Sequence, residues 1–315
     1  MPTVSIITPT YNRAGFVGSA IEHILAQSFQ DWELIVVDDG STDATPEVVE
    51  AYRRRDPRIR SVRQANAGLP AARNAGLRVA RGEYVAFLDD DDRFLPEKLE
   101  RQLPLLRQRP ELGFVYGPVW MQYEGETCVR KQVPEQLEDK YANLFERNLA
   151  QVCSVLARRS AIEAVGGFNE RQPRCADYDL WLRLAARFPF DYTTEPVGVY
   201  HRHPRNMSAN AVAMLAEHLA ILRGVIGWKR LGVSASLRRR TLATTSYQLA
   251  RHQLEAGRFL GAAESFLRAA CWRPDIGVLA KPQQGIATQG LLRRAVKPYA
   301  GIAYCLMRGV AHAGR

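Results

Sequence analysis

Four consecutive aspartates, Asp89, Asp90, Asp91 and Asp92, follow directly on the apolar run Tyr84–Leu88. Like charges in sequence repel one another, and packing gives no reason to keep them together. A cation does. Mg²⁺ and Mn²⁺ take hard oxygen ligands, commonly a carboxylate or two from the protein with phosphate oxygens and water completing the shell. The segment therefore points to chemistry in which a metal handles a substrate diphosphate. The competing explanation is a helix cap, with Asp92 capping a helix over residues 96–106 and the other aspartates solvated, which accounts for one carboxylate of the four.

Further polar clusters punctuate the chain. Thr8-Pro9-Thr10-Tyr11-Asn12-Arg13 lacks the glycines of a dinucleotide fingerprint. Its Tyr11 ring could stack on a nucleobase, or the segment is a plain strand-to-helix turn. In Asp38-Asp39-Gly40-Ser41-Thr42-Asp43, a carboxylate such as Asp39 could accept from a base N–H or a ribose hydroxyl, or the segment only caps the next helix. Arg73, in the small-residue tract 66–76, could meet a phosphate or a base, or be a surface charge. Asp177 stands at an expected helix start, where it is either an N-cap or macrodipole partner or a general base for an incoming hydroxyl. His201 and His203 lie two residues apart, and either could turn inward as a metal ligand or remain on the surface.

The elements that must position these residues follow from periodicity. Val4–Thr8 is a short apolar run read as a buried strand, and Phe16, Val17, Ala20, Ile21, Ile24 and Leu25 then recur at helical spacing. Strands are expected at 32–37, 59–63 and 83–88, and helices at 43–54 and 69–81, the last closed by Gly82 as a C′ glycine. Such alternation means a mostly parallel sheet with right-handed crossovers and helices on both faces. Ligands of such sheets sit beyond the carboxyl ends of the strands, so three polar strand ends should converge on one site. Residues 111–210 are less regular, with a strand-pair element at 114–123, a Gly166-Gly167 turn and a helix at 177–188. Beyond residue 210 strand signals vanish and helices are expected at 212–231, 236–256, 258–271 and 290–310. The chain thus divides into an α/β domain, 1–210, and an all-helical C-terminal region, 211–315.

Charge follows the same division. Residues 211–315 carry 16 Lys+Arg against 4 Asp+Glu, while residues 1–210 carry 27 against 29. A basic C-terminal region facing an anionic partner is the implication. Arg238-Arg239-Arg240, Lys229-Arg230 and the basic-apolar tract 291–310 could rest on an anionic membrane surface, or form a solvated face. No nucleic-acid recognition motif accompanies the charge, so nucleic acid is not expected as a partner. Five scattered cysteines without CxxC spacing fit reduced thiols of a cytoplasmic protein. The N-terminus has the pattern of a strand, not of a signal peptide, and no apolar run approaches the roughly 18 residues of a membrane-spanning helix.

Taken together, the ordered segments VSIITPTYNR, ELIVVDDGSTD, NAGLPAARNAG, YVAFLDDDD, GGFNERQPRCADYDLWLRL and YHRHPRNMS resemble a family-2 glycosyltransferase of the GT-A fold over residues 3–208. The resemblance implies transfer of a sugar, with inversion, from a nucleotide-sugar donor to a hydroxyl, with Mg²⁺ or Mn²⁺ as cofactor. It implies that Pro9, Tyr11 and Asp39 contact the base with Arg73 nearby, and that Asp89, Asp90 and Asp91 cover the DXD element. On that likeness Asp91 is the metal ligand, Asp89 and Asp90 serve the ribose or metal, His203 approaches the metal and diphosphate, and Asp177 is the catalytic base. The expected donor is a UDP-sugar and the acceptor a glycan or lipid-linked hydroxyl, used at the inner face of the plasma membrane in surface polysaccharide or glycolipid synthesis. Ala176 departs from the family pattern, which often has Glu there, and His201 stands where Arg is frequent.

Residues 246–274 resemble one tetratricopeptide repeat through Leu249, Ala250, Gly257, Ala262, Phe266, Ala269 and Pro274. A single repeat makes a helical hairpin, not a solenoid. Two other functions fit parts of the pattern. A nucleotidyltransferase of related fold also uses aspartates and metal, but it would show a Gly-rich phosphate loop after the first strand. A non-catalytic scaffold with a helical protein-binding module would have no use for Asp91 and Asp177.

Overall fold

The computed structural model describes residues 1–123, 129–130, 140–204, 206–225, 231–273, 301–303 and 305. The chain forms two compact units, Met1–Asn206 and Met207–Arg315. The first unit runs β1 (Val4–Thr10), α1 (Ala14–Leu25), β2 (Trp32–Asp38), α2 (Thr45–Arg55), β3 (Ile59–Arg63), α3 (Leu69–Val79), β4 (Tyr84–Phe87) and β5 (Arg93–Phe94). It continues through α4 (Lys98–Gln108), β6 (Phe114–Tyr116), β7 (Val119–Tyr123), β8 (Val129–Arg130), α5 (Lys140–Glu146), β9 (Leu156–Arg158) and α6 (Arg159–Ala164). It closes with α7 (Ala176–Ala185), β10 (Phe190–Tyr192) and β11 (Gly198–Arg202).

A seven-stranded sheet in the order β10-β6-β9-β4-β1-β2-β3 forms the body. Every residue of β1 and β2 is buried, as central strands covered on both faces are. On one face lie Val17, Ile21 and Ile24 of α1, Val49 of α2 and Leu99, Leu103 and Leu106 of α4, packed on Ile6, Leu34 and Ala86. On the other, Trp181 of α7 stacks against Phe114 at 5.7 Å and lies 6.5 Å from Phe87. There α3 comes close enough to β1 that a Cβ on Gly76 would sit 2.5 Å from Ile7 Cγ2. The small residues of α3 are therefore explained by packing.

β1 pairs with β2 through Thr10, but with β4 only through Ile7. Pro9, which has no N–H to donate, sits where the β4 side no longer asks for one. The chain departs from the sheet there on both sides, at Tyr11 and at Leu88, and the aspartates follow directly beyond Leu88.

Several expectations shift. Helix α3 ends at Val79 with Ala80 extended, so Gly82 is not a C′ residue. It is required for close approach, because a Cβ there would meet the Ser5 backbone nitrogen at 2.5 Å. The strand pair expected at 114–123 is present as β6 and β7, but the two, split at Gly117-Pro118, lie in different sheets. β7 and β11 join β5 and β8 in a four-stranded sheet of order β5-β11-β7-β8, which carries His201 within a strand. Antiparallel β9 is inserted between β4 and β6.

In the second unit α8 (Ala211–Gly224) is followed by α9 (Ala235–Glu255) and α10 (Phe259–Trp272). α9 and α10 form the expected hairpin, turning at Gly257 with φ +71°. Ala250, Ala262, Ala263 and Phe266 make its seam, Tyr247 packs edge-on to Phe266, and the Ser265 hydroxyl bonds Gln253 Oε1 at 2.7 Å. The expected helix at 290–310 lies largely outside the described residues. Among the described residues no helix is long and apolar enough to cross a membrane.

Candidate active site

The turn after β1 and the turn after β2 are tied into one rim. Asn12 adopts φ +52°, a left-handed conformation that asparagine tolerates better than most residues. Its N–H donates to Ser41 Oγ at 2.9 Å and its Oδ1 accepts from the Thr42 N–H at 2.8 Å. Arg13 N–H donates to Thr45 Oγ1 at 2.9 Å, and Ala14 N–H to Asp43 Oδ2 at 3.2 Å. Asp43 thus serves the rim while Ala44, without a side-chain cap, precedes α2. Tyr11, 46% exposed, stands on this rim.

Asp39 is buried at the tip of β2. Its carboxylate accepts from Gln64 Nε2 at 2.7 Å and from the Ala67 and Gly68 N–H groups, each at 2.9 Å. These bonds fix the loop between β3 and α3, where Gly68 turns into the helix at φ +90°.

The four aspartates separate. Asp89 takes the Arg73 guanidinium, whose NH2 reaches Oδ1 at 2.6 Å and Oδ2 at 2.9 Å. Arg73 is 4% exposed, its guanidinium lies 5.3 Å from the Phe168 ring centroid, and its Nε is buried without a hydrogen bond. Asp90 accepts from Thr10 Oγ1 at 2.7 Å, and burial pushes its carboxyl up to about 7. Asp91 Oδ2 lies 3.0 Å from His203 Nε2 and 3.7 Å from the Arg13 guanidinium. Asp92 turns into the core, where Oδ1 accepts the His201 N–H at 2.9 Å. Burial, with the neighbouring charges of Asp89 and Asp91, raises its carboxyl well above the usual range. Asp92 therefore caps no helix: the residue before α4 is Glu97. Like charges that cannot share a space have each found a different partner, and one of the four faces the histidine.

His203 is placed by the same bond that holds β11 to the aspartate loop. Asn206 closes the turn behind it, donating to the His201 carbonyl at 3.2 Å and accepting from the His203 N–H. Phe16 stacks on the His203 ring at 6.3 Å, and Arg13 lies over Phe16 at 5.1 Å. His201 turns a ring edge toward His203, at 5.8 Å, so it is His203 that meets Asp91.

Asp177 is the second residue of α7, whose N-cap is Cys175, so it is not itself the cap. Its Oδ2 accepts from Asn148 Nδ2 at 3.0 Å. Burial raises its carboxyl, opposed by the Arg73 charge and the Asn148 hydrogen bond. Ala176 beside it is buried in the apolar core. Among the described residues no three His, Cys, Asp or Glu side chains close around one cation. The Asp91–His203 pair nonetheless suits an ion that draws its remaining ligands from a diphosphate and water.

Thr10, Arg13 and Asn148 take part in this arrangement without having been singled out from sequence. Thr10 and Arg13 lie within a recognised motif. Asn148 has no local signal, because its role depends on a contact 29 residues away.

This architecture, a mostly parallel sheet whose polar strand ends are tied together at one end, is the GT-A fold. The full chain superposes on the crystal structure of S. aureus TarS 1-349 with a TM-score of 0.66 at 15% identity, covering 100% of this chain and 92% of that one. It is also similar to the mannosyltransferase PcManGT from Pyrobaculum calidifontis, solved with GDP-Man and Mn²⁺, with a TM-score of 0.61 at 22% identity over 98% and 86% of the two chains. The chain belongs to glycosyl transferase family 2, whose family model matches residues 5–166, just over half of its length. Among curated relatives, the putative teichuronic acid biosynthesis glycosyltransferase TuaG of Bacillus subtilis is 44% identical over 34% of this chain and 43% of its own. An uncharacterized glycosyltransferase of Haemophilus influenzae is 32% identical over 58% of this chain and 61% of its own. The chain thus spans between a third and three fifths of the first relatives it matches.

Proposed function

We propose that this protein is an inverting glycosyltransferase that moves a sugar from a nucleoside diphosphate sugar, a UDP-sugar by preference, to a hydroxyl of a glycan or lipid-linked acceptor. The observation that carries it is the pairing of Asp91 with His203 at 3.0 Å, at the end of the strand whose Asp89 holds Arg73, the charge that most lowers Asp177. A donor pair for a diphosphate-bound cation and a carboxylate able to take a proton are linked through one guanidinium.

A Mg²⁺ or Mn²⁺ ion, when bound, supplies positive charge against the departing diphosphate, and Asp91 and His203 are the residues that would hold it, with Asp89 beside them. Tyr11 stacks on the base, and Pro9 and Asp39 form the wall that meets its edge. Asp90 and Asp89 line the ribose side, with Arg73 between the ribose and the base carboxylate. Asp177 accepts the proton of the acceptor hydroxyl. The hydroxyl oxygen then forms its bond to the anomeric carbon as the carbon–oxygen bond to the diphosphate breaks, and that electron pair leaves with the nucleoside diphosphate. One displacement inverts the centre, with orientation and charge placement supplying most of the acceleration.

The product class we infer is a cell-surface polysaccharide or glycolipid, a reading supported by the name of the TuaG relative. Contact of the basic C-terminal region with an anionic membrane surface at the inner face of the plasma membrane fits the excess of 16 Lys+Arg over 4 Asp+Glu there. The test is release of UDP from a panel of UDP-sugars in the presence of Mn²⁺. Release by the intact chain that disappears in Asp91→Ala supports the activity. No release from any donor, with or without glycan acceptors, contradicts it.

A further inference from the structure

Asn148 lies in the segment joining α5 to β9, and that segment is fastened at both ends. At its start, the Tyr178 hydroxyl of α7 donates to the Phe145 carbonyl at 2.6 Å. At its end, two buried side chains of α4 hold backbone carbonyls: Gln102 Nε2 bonds Ser154 O at 2.8 Å, and Lys98 Nζ bonds Val155 O at 3.1 Å. Within the span the Ser154 hydroxyl and N–H both donate to the Gln151 carbonyl, at 2.7 and 2.8 Å. A fully buried lysine on the packed face of α4 is costly to keep, since burial lowers its ammonium to about 7. Its position makes sense as an anchor for this segment.

From that span Asn148 directs its amide to Asp177 Oδ2 at 3.0 Å. Tyr178, the next residue of α7, holds Phe145, three residues before Asn148. Two successive residues of one helix turn thus grip the same short segment, which fixes the angle at which the amide meets the carboxylate. An amide N–H can donate but cannot accept the acceptor's proton, so it orients the base without competing with it.

We propose that Asn148 is a positioning residue for proton transfer: its amide occupies Asp177 Oδ2, so that Oδ1 is the atom that receives the acceptor's proton. This rests on the assignment of Asp177 as the base. The other charged groups acting on Asp177 are Arg73, on α3, and Asp89, beyond β4. Neither is removed by changing Asn148.

The test uses the full chain labelled with aspartate carrying ¹³C at Cγ. The resonance missing from Asp177→Asn belongs to Asp177, and its titration is followed in the native protein, in Asn148→Ala and in Asn148→Asp. Loss of the donated hydrogen bond should raise the Asp177 pKa by about one unit, roughly tenfold in proton affinity. Asn148→Asp, nearly the same shape but presenting a second carboxylate, should raise it further. The acid limb of UDP release should move by the same amount, with Mn²⁺-dependent UDP binding unchanged. A merely structural role would lower the melting temperature and move neither limb nor resonance. An unmoved Asp177 titration, or a moved titration with a stationary acid limb, overturns the positioning role. Full turnover by Asp177→Asn would instead overturn the base assignment.

Discussion

His203 Nε2 stands 3.0 Å from Asp91 Oδ2 across 112 residues of sequence. The contact exists because Asp92, next in sequence to Asp91, holds the backbone of His201 in β11. One aspartate fixes the strand that delivers the histidine to its neighbour. With the imidazole holding the ion as proposed, His203→Ala should weaken Mn²⁺ binding by about tenfold or more in calorimetry, at the cost of the ring's stack on Phe16. Equal Mn²⁺ affinity in the variant would remove His203 from the metal set.

Asp177→Asn preserves the shape of the side chain and removes its capacity to take a proton. Loss of general base catalysis should cost about 10²–10⁴ in turnover. UDP affinity with Mn²⁺ should stay within a factor of two or so of the native protein, because the role proposed for Asp177 is toward the acceptor. Calorimetry beside a UDP-release assay separates the two effects.

Asp39→Ala would strip one acceptor from three donors and leave the Ala67 and Gly68 N–H groups without it. Both bonds are only partly buried, so water can satisfy part of what is lost, and the variant should lose on the order of 1–3 kcal/mol of stability in urea unfolding. Hydrogen exchange should quicken first at residues 64–68, and nucleotide binding should weaken with it. Unchanged protection of that loop would mean the Asp39 bonds do not hold it.

Gly76→Ala sets a helix-propensity gain of about 1 kcal/mol against an overlap with Ile7. The added Cβ would sit 2.5 Å from Ile7 Cγ2, and overpacking of that kind costs about 1–3 kcal/mol. Net destabilisation is expected, relieved when Ile7→Ala is combined with it, so the pair should lose less than the sum of the two singles. Simple additivity would place the overlap elsewhere.

Much of the first half of this fold is legible in sequence. β1 and β2 are mostly apolar runs, α1 repeats its buried face at helical spacing, and the polar clusters stand where strands end. The later half resists reading, because β9 is three residues long and takes its place between β4 and β6 through partners distant in sequence. Gly82 was legible as a special glycine, but not that its need is space beside Ser5. The aspartate run was legible as a site. Its division among Arg73, Thr10, His203 and β11 was not, because it depends on which oxygen meets which partner after the sheet has formed. Nothing in the sequence singles out Lys98, whose burial comes from the packing of α4 against the segment leading into β9.

That lysine gives a pH signature. Burial lowers its ammonium from 10.5 to about 7 in the folded protein. Between those values the unfolded chain binds more protons than the folded one, so stability from this group rises with pH across the window and is lost as pH falls toward 7. The native protein should therefore gain stability relative to Lys98→Met as pH is raised from about 7 to 10, by on the order of a few kcal/mol. Parallel curves for the two proteins would mean that Lys98 keeps its charge when buried.

The most direct test of the central claim is isothermal titration of the intact chain with UDP, in Mn²⁺ and in chelator, repeated with Asp91→Ala. The expected result is binding that requires Mn²⁺ and vanishes in the variant. Metal-independent binding of equal strength, or undiminished Mn²⁺-dependent binding by Asp91→Ala, would show that the Asp91–His203 pair does not carry the diphosphate of a nucleotide sugar.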